Sequence, residues 1–134
     1  MTPKRGLVPV MRYVDDQIDE ILTESQLIVQ FLIDLHPSHL LPSPVAEPSP
    51  SSVAAFSRWR MGFIVDTYFS KVNPLMFQLL GGPTEEQEQK VNDLVTVVQK
   101  QIEPLLHDAD PYFGGRAEFT LAEVRIWQTR NYFH

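Results

Sequence analysis

The chain has 134 residues, 43% hydrophobic and 21% charged, a globular composition that fits one soluble domain or two small interlocked subdomains. Eleven Lys and Arg against 17 Asp and Glu leave a net charge of -6, which opposes polyphosphate and an anionic leaflet and so excludes nucleic acid and membrane surfaces as expected partners. With no cysteine there is no disulfide framework, no thiolate metal site and no nucleophilic thiol. The basic start MTPKRG has no apolar stretch of secretory length behind it and no window approaches a membrane span, so the expected location is cytoplasmic.

Residues 7–14, LVPVMRYV, are rich enough in β-branched and aromatic side chains for a strand, with Pro9 restricting it to an edge or a special ladder position. Asp15, Asp16, Gln17 and Asp19 form a polar turn before a second short strand over 20–23, which together predict a hairpin. Ser25 stands where an N-cap belongs. Leu27, Ile28, Phe31, Leu32 and Leu35 follow at helical spacing until His36-Pro37 ends the run. Residues 37–50 carry five prolines (37, 42, 44, 48 and 50) and several serines without helical or strand period, the chemistry of a linker.

Residues 53–80 are strongly apolar, with Phe56, Trp59, Phe63, Ile64, Val72, Leu75, Met76 and Leu79 at helical intervals, so a long helix is expected. Asn73-Pro74 should kink it, and Gly81-Gly82-Pro83 should stop it. Thr84 with Gln87 matches a capping box. Val91, Leu94, Val95, Val98, Ile102, Leu105 and Leu106 then trace one apolar stripe, with Pro104 placed to bend or end that helix. The last helix begins at Thr120, whose hydroxyl is expected to accept from the Glu123 N–H while the Glu123 carboxylate reaches back to the Thr120 N–H. Phe119 and Val124 occupy the two positions of a hydrophobic staple around that box.

Three of these stretches, in order, carry a resemblance. Pro111 to Val124, PYFGGRAEFTLAEV, resembles the segment of glutathione transferases in which an aromatic-Gly turn leads into the capped central helix of the helical domain, with Glu123 where the family usually has Asp. Gly6-Leu7-Val8-Pro9-Val10 and Thr23-Glu24-Ser25-Gln26-Leu27-Ile28 resemble the family's two glutathione-contacting stretches, closest to omega-like and related fungal-type members. The resemblance implies an α+β, mostly α fold. It places a partial thioredoxin-like ββα unit over 1–36, a Pro-rich linker over 37–50 and an incomplete all-helical domain over 51–134. In the family a β-α-β unit carrying the Tyr, Ser or Cys that activates the glutathione sulfur comes earlier, and further helices follow the capped one. The expectation is therefore of a chain cut at both ends, with no catalytic residue of its own.

The resemblance also implies glutathione as ligand and a small electrophile as co-substrate. Val8, beside a Pro9 that is cis in the family, would pair its backbone with the cysteinyl part of glutathione, because an edge strand offers unpaired N–H and C=O groups. Read alone, Pro9 equally serves to protect an edge strand. Glu24 would meet the γ-glutamyl ammonium while Ser25 and the helix N-terminus meet its α-carboxylate; read alone, the pair is an N-cap beside a solvated acid. Phe56, Arg60, Phe63 and Thr67 fall where such proteins line a hydrophobic cleft, with core packing as the alternative. His36, His39, His107 and His134 are scattered without ligand spacing, so no metal is expected, and Tyr13 lies on the wrong strand for a catalytic tyrosine and is read as packing. The implied activity is conjugation of glutathione to small electrophiles, or their reduction, in a homodimer, as in detoxification. A non-catalytic interaction module and a truncated inactive product are the competing readings.

Overall fold

The computed structural model describes residues 9–43, 45–46, 49–50, 52–81 and 86–127. The chain is mostly helical with two small antiparallel pairings, an α+β architecture weighted to α, and it divides into two compact units, Met1–Ser38 and His39–His134. Among the described residues no helix is long and apolar enough to cross a membrane.

In the first unit β1 (Val10–Val14) pairs with β2 (Asp19–Thr23), running from Val10↔Thr23 to Val14↔Asp19. The turn is built by Asp15: its Oδ1 accepts from the N–H groups of Gln17 at 2.8 Å and Ile18 at 2.7 Å, and its N–H donates to the Ile18 carbonyl. An Asx side chain that binds the backbone two and three residues on closes a loop without help from glycine. Asp19, expected in the turn, is instead the first residue of β2, where a bidentate bond from Arg12 (2.8 and 2.7 Å) holds it. Helix α1 (Ser25–Leu35) returns along β2, and the Tyr13 and Phe31 rings meet edge to face at 4.8 Å, the packing role expected of Tyr13. His36 ends α1 by donating its N–H to the Leu32 carbonyl. The apolar stripe of α1 is only partly covered, with Ile28 and Ile33 buried and Leu27, Leu32 and Leu35 exposed.

The second unit opens with the proline-rich stretch, which is more structured than its composition predicts. Leu41 is buried, the Leu40 carbonyl accepts from the Leu121 N–H at 2.9 Å, and β3 (Val45–Ala46) pairs with β4 (Ser49–Pro50). Helix α2 (Ser52–Thr67) and helix α3 (Asn73–Gly81) are joined by a π turn at Tyr68–Val72, so the disturbance expected at Pro74 takes the form of a wider turn immediately before it. The Asn73 N–H donates to the Tyr68 carbonyl, five residues back, which is how one extra residue enters a helix without breaking its ladder. The same solution recurs before Pro104. Helix α4 (Gln87–Val97) continues through a π turn at Val98–Ile102 into a 3₁₀ turn at Glu103–Leu106. The expected box partner Thr84 lies outside the described residues; α4 itself starts after Glu86 with no side-chain cap. Its stripe is not a buried seam, since Ile102 alone among those seven side chains is buried while Val91, Val95 and Leu106 are exposed.

Between the 3₁₀ turn and α5 (Leu121–Trp127) the chain makes the PYFGG turn. Tyr112 and Arg116 form an isolated bridge, the Gly115 N–H donates to the Tyr112 carbonyl at 3.1 Å, and Gly114 and Gly115 have φ of 71° and 67°. Residues other than glycine lose about 1–2 kcal/mol there. A Cβ on Gly115 would also meet the Asp108 carbonyl at 3.4 Å. We therefore expect Gly115→Ala to destabilise the chain by about 1–2 kcal/mol, read as a lower urea midpoint at unchanged m-value. Helix α5 packs on α2, and the core beneath it contains Met61, Ile64, Val65, Phe113 and Ala122.

Candidate functional site

The hairpin register explains how residues distant in sequence form the candidate ligand site of the first unit. The ladder ends at Val10↔Thr23, so Pro9 and Glu24, each the next residue beyond that pair, both leave the hairpin at the same end. Val8, and with it the Val8-Pro9 peptide bond, lies outside the described residues.

Glu24 corrects one detail of the expectation. The N-cap of α1 is Glu24 rather than Ser25, and Ser25 is the first helical residue. Glu24 has φ 69° and ψ 106°, the one described non-glycine residue with positive φ, and it makes no side-chain cap bond. Such a backbone costs on the order of 1–3 kcal/mol and persists only where its surroundings impose it. The first turn of α1 holds no acidic residue to offset its dipole, so N–H groups without a partner inside the helix, and their positive partial charge, lie beside an exposed carboxylate. A zwitterionic amino-acid group finds a partner for each charge there.

The four residues read as a hydrophobic cleft are not brought together as one surface. Phe56 and Phe63 are exposed and stack with Trp59, at centroid distances of 5.6 and 5.2 Å, in a ladder along α2. Thr67 is buried, and its hydroxyl donates to the Phe63 carbonyl at 2.7 Å within its own helix. Arg60 is engaged elsewhere: its two terminal nitrogens donate to Asp108 at 2.6 and 2.8 Å, and its guanidinium lies over the Phe113 ring at 5.0 Å. The pairing holds the Asp108 carboxyl below its ordinary range, chiefly through the hydrogen bond from Arg60. Arg60 thus ties α2 to the PYFGG turn. Arg60→Ala should cost about 1 kcal/mol, part from the half-solvated ion pair and part from the cation–π contact, read from thermal denaturation.

The capping box is present in a modified form. Glu123 Oε2 accepts from the Thr120 N–H and from Thr120 Oγ1, both at 2.6 Å, as the reach-back requires. Thr120 Oγ1 accepts from the Ala122 N–H at 3.2 Å rather than from that of Glu123. The other carboxylate oxygen, Oε1, accepts from the Phe113 N–H at 2.6 Å, so one side chain fastens both the turn and the helix. Burial pushes the Glu123 carboxyl up, and the bonds from Thr120 Oγ1, the Phe113 N–H and the Thr120 N–H outweigh it, leaving the group below its ordinary 4.5. Phe119, one half of the expected staple, sets its ring against His39 at 5.5 Å and Tyr112 at 6.3 Å, while Val124 is half-buried.

A feature that composition and spacing did not reveal lies beside this box. Ile64, Leu106, Phe113, Ala122, Glu123, Ile126 and Trp127 line an open, almost wholly apolar pocket of about 330 Å³. Its wall mixes residues from α2, the 3₁₀ turn, the PYFGG turn and α5, a combination that only the folded chain brings together. Among the described residues no group of three or more His, Asp or Glu could hold a metal ion.

No protein-family model, no curated protein and no solved structure matches the chain, so the family resemblance rests on the residue motifs alone.

Proposed function

We propose that the chain is a glutathione-transferase-like module that holds glutathione at the head of α1 and acts on small electrophiles, by conjugation or reduction, when a thiol-activating group is supplied. The observation that carries this reading is Glu24: a strained backbone, an exposed carboxylate and a helix start without a side-chain cap meet at the end of the hairpin where Val10 pairs with Thr23. Glu24 takes the γ-glutamyl ammonium, Ser25 and the α1 N–H groups take the α-carboxylate, and the backbone of Val8, as the family resemblance implies, takes the cysteinyl peptide. None of the residues in this assignment is a base or donor placed on the sulfur, so holding the tripeptide is the function assigned to this unit, in a cytoplasmic homodimer.

Retention of the chain on immobilised glutathione, eluted by free glutathione, tests the reading; passage through the column without delay would overturn it. The open apolar pocket of about 330 Å³ in the helical unit favours a second reading, a non-catalytic module that binds a small apolar molecule. Quenching of tryptophan fluorescence by such a molecule in a chain that ignores glutathione would select the second reading.

A further inference from the structure

The proline-rich stretch holds two Ser-Pro dipeptides, Ser43-Pro44 and Ser49-Pro50. Their surroundings differ. Ser49 and Pro50 form β4, paired with Ala46 and Val45, so their backbone is already committed to a ladder. Ser43 is exposed and outside any regular element. Just before it, Leu41 is buried, the Leu40 carbonyl accepts from Leu121, and the Pro42 carbonyl accepts from Arg58 Nη1 at 3.2 Å. The Arg58 guanidinium thereby reaches the carbonyl of the peptide bond that joins Pro42 to Ser43. A kinase acting before proline needs a serine on an accessible, extended segment, and a phosphoserine needs a cation within reach if its charge is to order the chain.

We propose that Ser43 is a phosphorylation site for a proline-directed protein kinase and that its phosphate docks on Arg58. In the transfer the Ser43 Oγ–P bond forms as the bond between the γ-phosphorus of ATP and its bridging oxygen breaks. ADP departs, and the hydroxyl proton passes to the kinase base and then to solvent. The dianion draws guanidinium donors of Arg58 into bonds in which both partners are charged, and pins the proline-rich stretch to α2. Ser49 takes no phosphate while its backbone is paired in β4.

The full chain is incubated with a proline-directed kinase and Mg·ATP, mapped by mass spectrometry, and titrated by ³¹P NMR. The expected result is one phosphate at Ser43, absent from Ser43→Ala and retained in Ser49→Ala. Its second ionisation should fall about half a unit below the ordinary value near 6, a roughly threefold stronger acid. In Arg58→Gln the midpoint should return to the ordinary value, and urea unfolding of the phosphorylated native chain should return it likewise, which keeps the test valid if that variant folds poorly. No incorporation, incorporation at Ser49 alone, or a midpoint identical in the folded and urea-unfolded chain would overturn the proposal.

Discussion

Glu123→Ala is expected to lower the unfolding free energy by about 3 kcal/mol, a large share of the roughly 5–15 kcal/mol typical of a domain. The substitution removes the acceptor of three bonds, from the Phe113 N–H, the Thr120 N–H and Thr120 Oγ1, each 2.6 Å long. Phe113 is 3% exposed and Thr120 is fully buried, so water cannot readily replace the lost partner. An unpartnered buried donor costs about 1–3 kcal/mol, which makes the orphaned groups the main source of the loss. Glu123→Gln is the sharper variant. It keeps the length, but its amide nitrogen must face one of the donors, so it should lose about half as much.

The same carboxylate sets an acid limit. Its folded-state ionisation lies below 4.5, so its stabilisation is fully present above that value and disappears as pH falls toward the folded one. Asp15, Asp19 and Asp108 are lowered too and add to the same trend from their ordinary 3.8. Chemical denaturation between about pH 3 and 7 should show stability falling in acid with a smaller slope in Glu123→Gln. Equal slopes in the two chains would contradict the assignment.

Glu24 should respond to substitution in the opposite sense. Glycine adopts φ 69° without strain, so Glu24→Gly should stabilise the chain by about 1 kcal/mol, after allowing for the greater freedom of glycine in the unfolded state. It should also weaken glutathione binding, because the carboxylate is gone. Glu24→Gln leaves the strain in place and removes only the charge, so stability should hold while affinity drops about tenfold, the equivalent of about 1.4 kcal/mol for one charge-assisted bond. Calorimetric titration with glutathione, paired with thermal denaturation, separates the two effects. A glycine variant that is more stable and binds as well as the parent would remove the functional reason for the strain.

The elements that could be read from the sequence were those with local causes. β-Branched and aromatic side chains around an Asp-rich turn give the hairpin, and period 3.6 ending at His36-Pro37 gives α1. The box residues Thr120 and Glu123 are three apart and meet as their spacing predicts. What escaped was non-local or unmarked. Positive φ is signalled in a sequence by Gly, Asn or Asp, and Glu24 carries no such signal, so the residues alone place the N-cap of α1 at Ser25, one residue late. Pro74 and Pro104 announce a disturbance but not its form, and in both cases a π turn absorbs it upstream. The bond from Phe113 to Glu123 joins residues ten apart across a turn, and that from Leu121 to Leu40 joins what composition reads as linker to the helical unit. Arg60 shares a stripe with Phe56, Phe63 and Thr67, yet Asp108, 48 residues away, decides where it points.

The two π turns bear on insertions and deletions. Each holds a residue that a regular α-helix would not need, so removing one residue from Tyr68–Val72 leaves the faces of α3 in their present direction. Removing one from Ser52–Thr67 instead rotates everything downstream by about 100°, carrying Val72 out of the core. Pro74 and Pro104 restrict that tolerance, because an ordinary α turn before either would drive the ring into a carbonyl. Length changes in this helical unit are therefore expected to be accepted only in company with loss of the proline that follows.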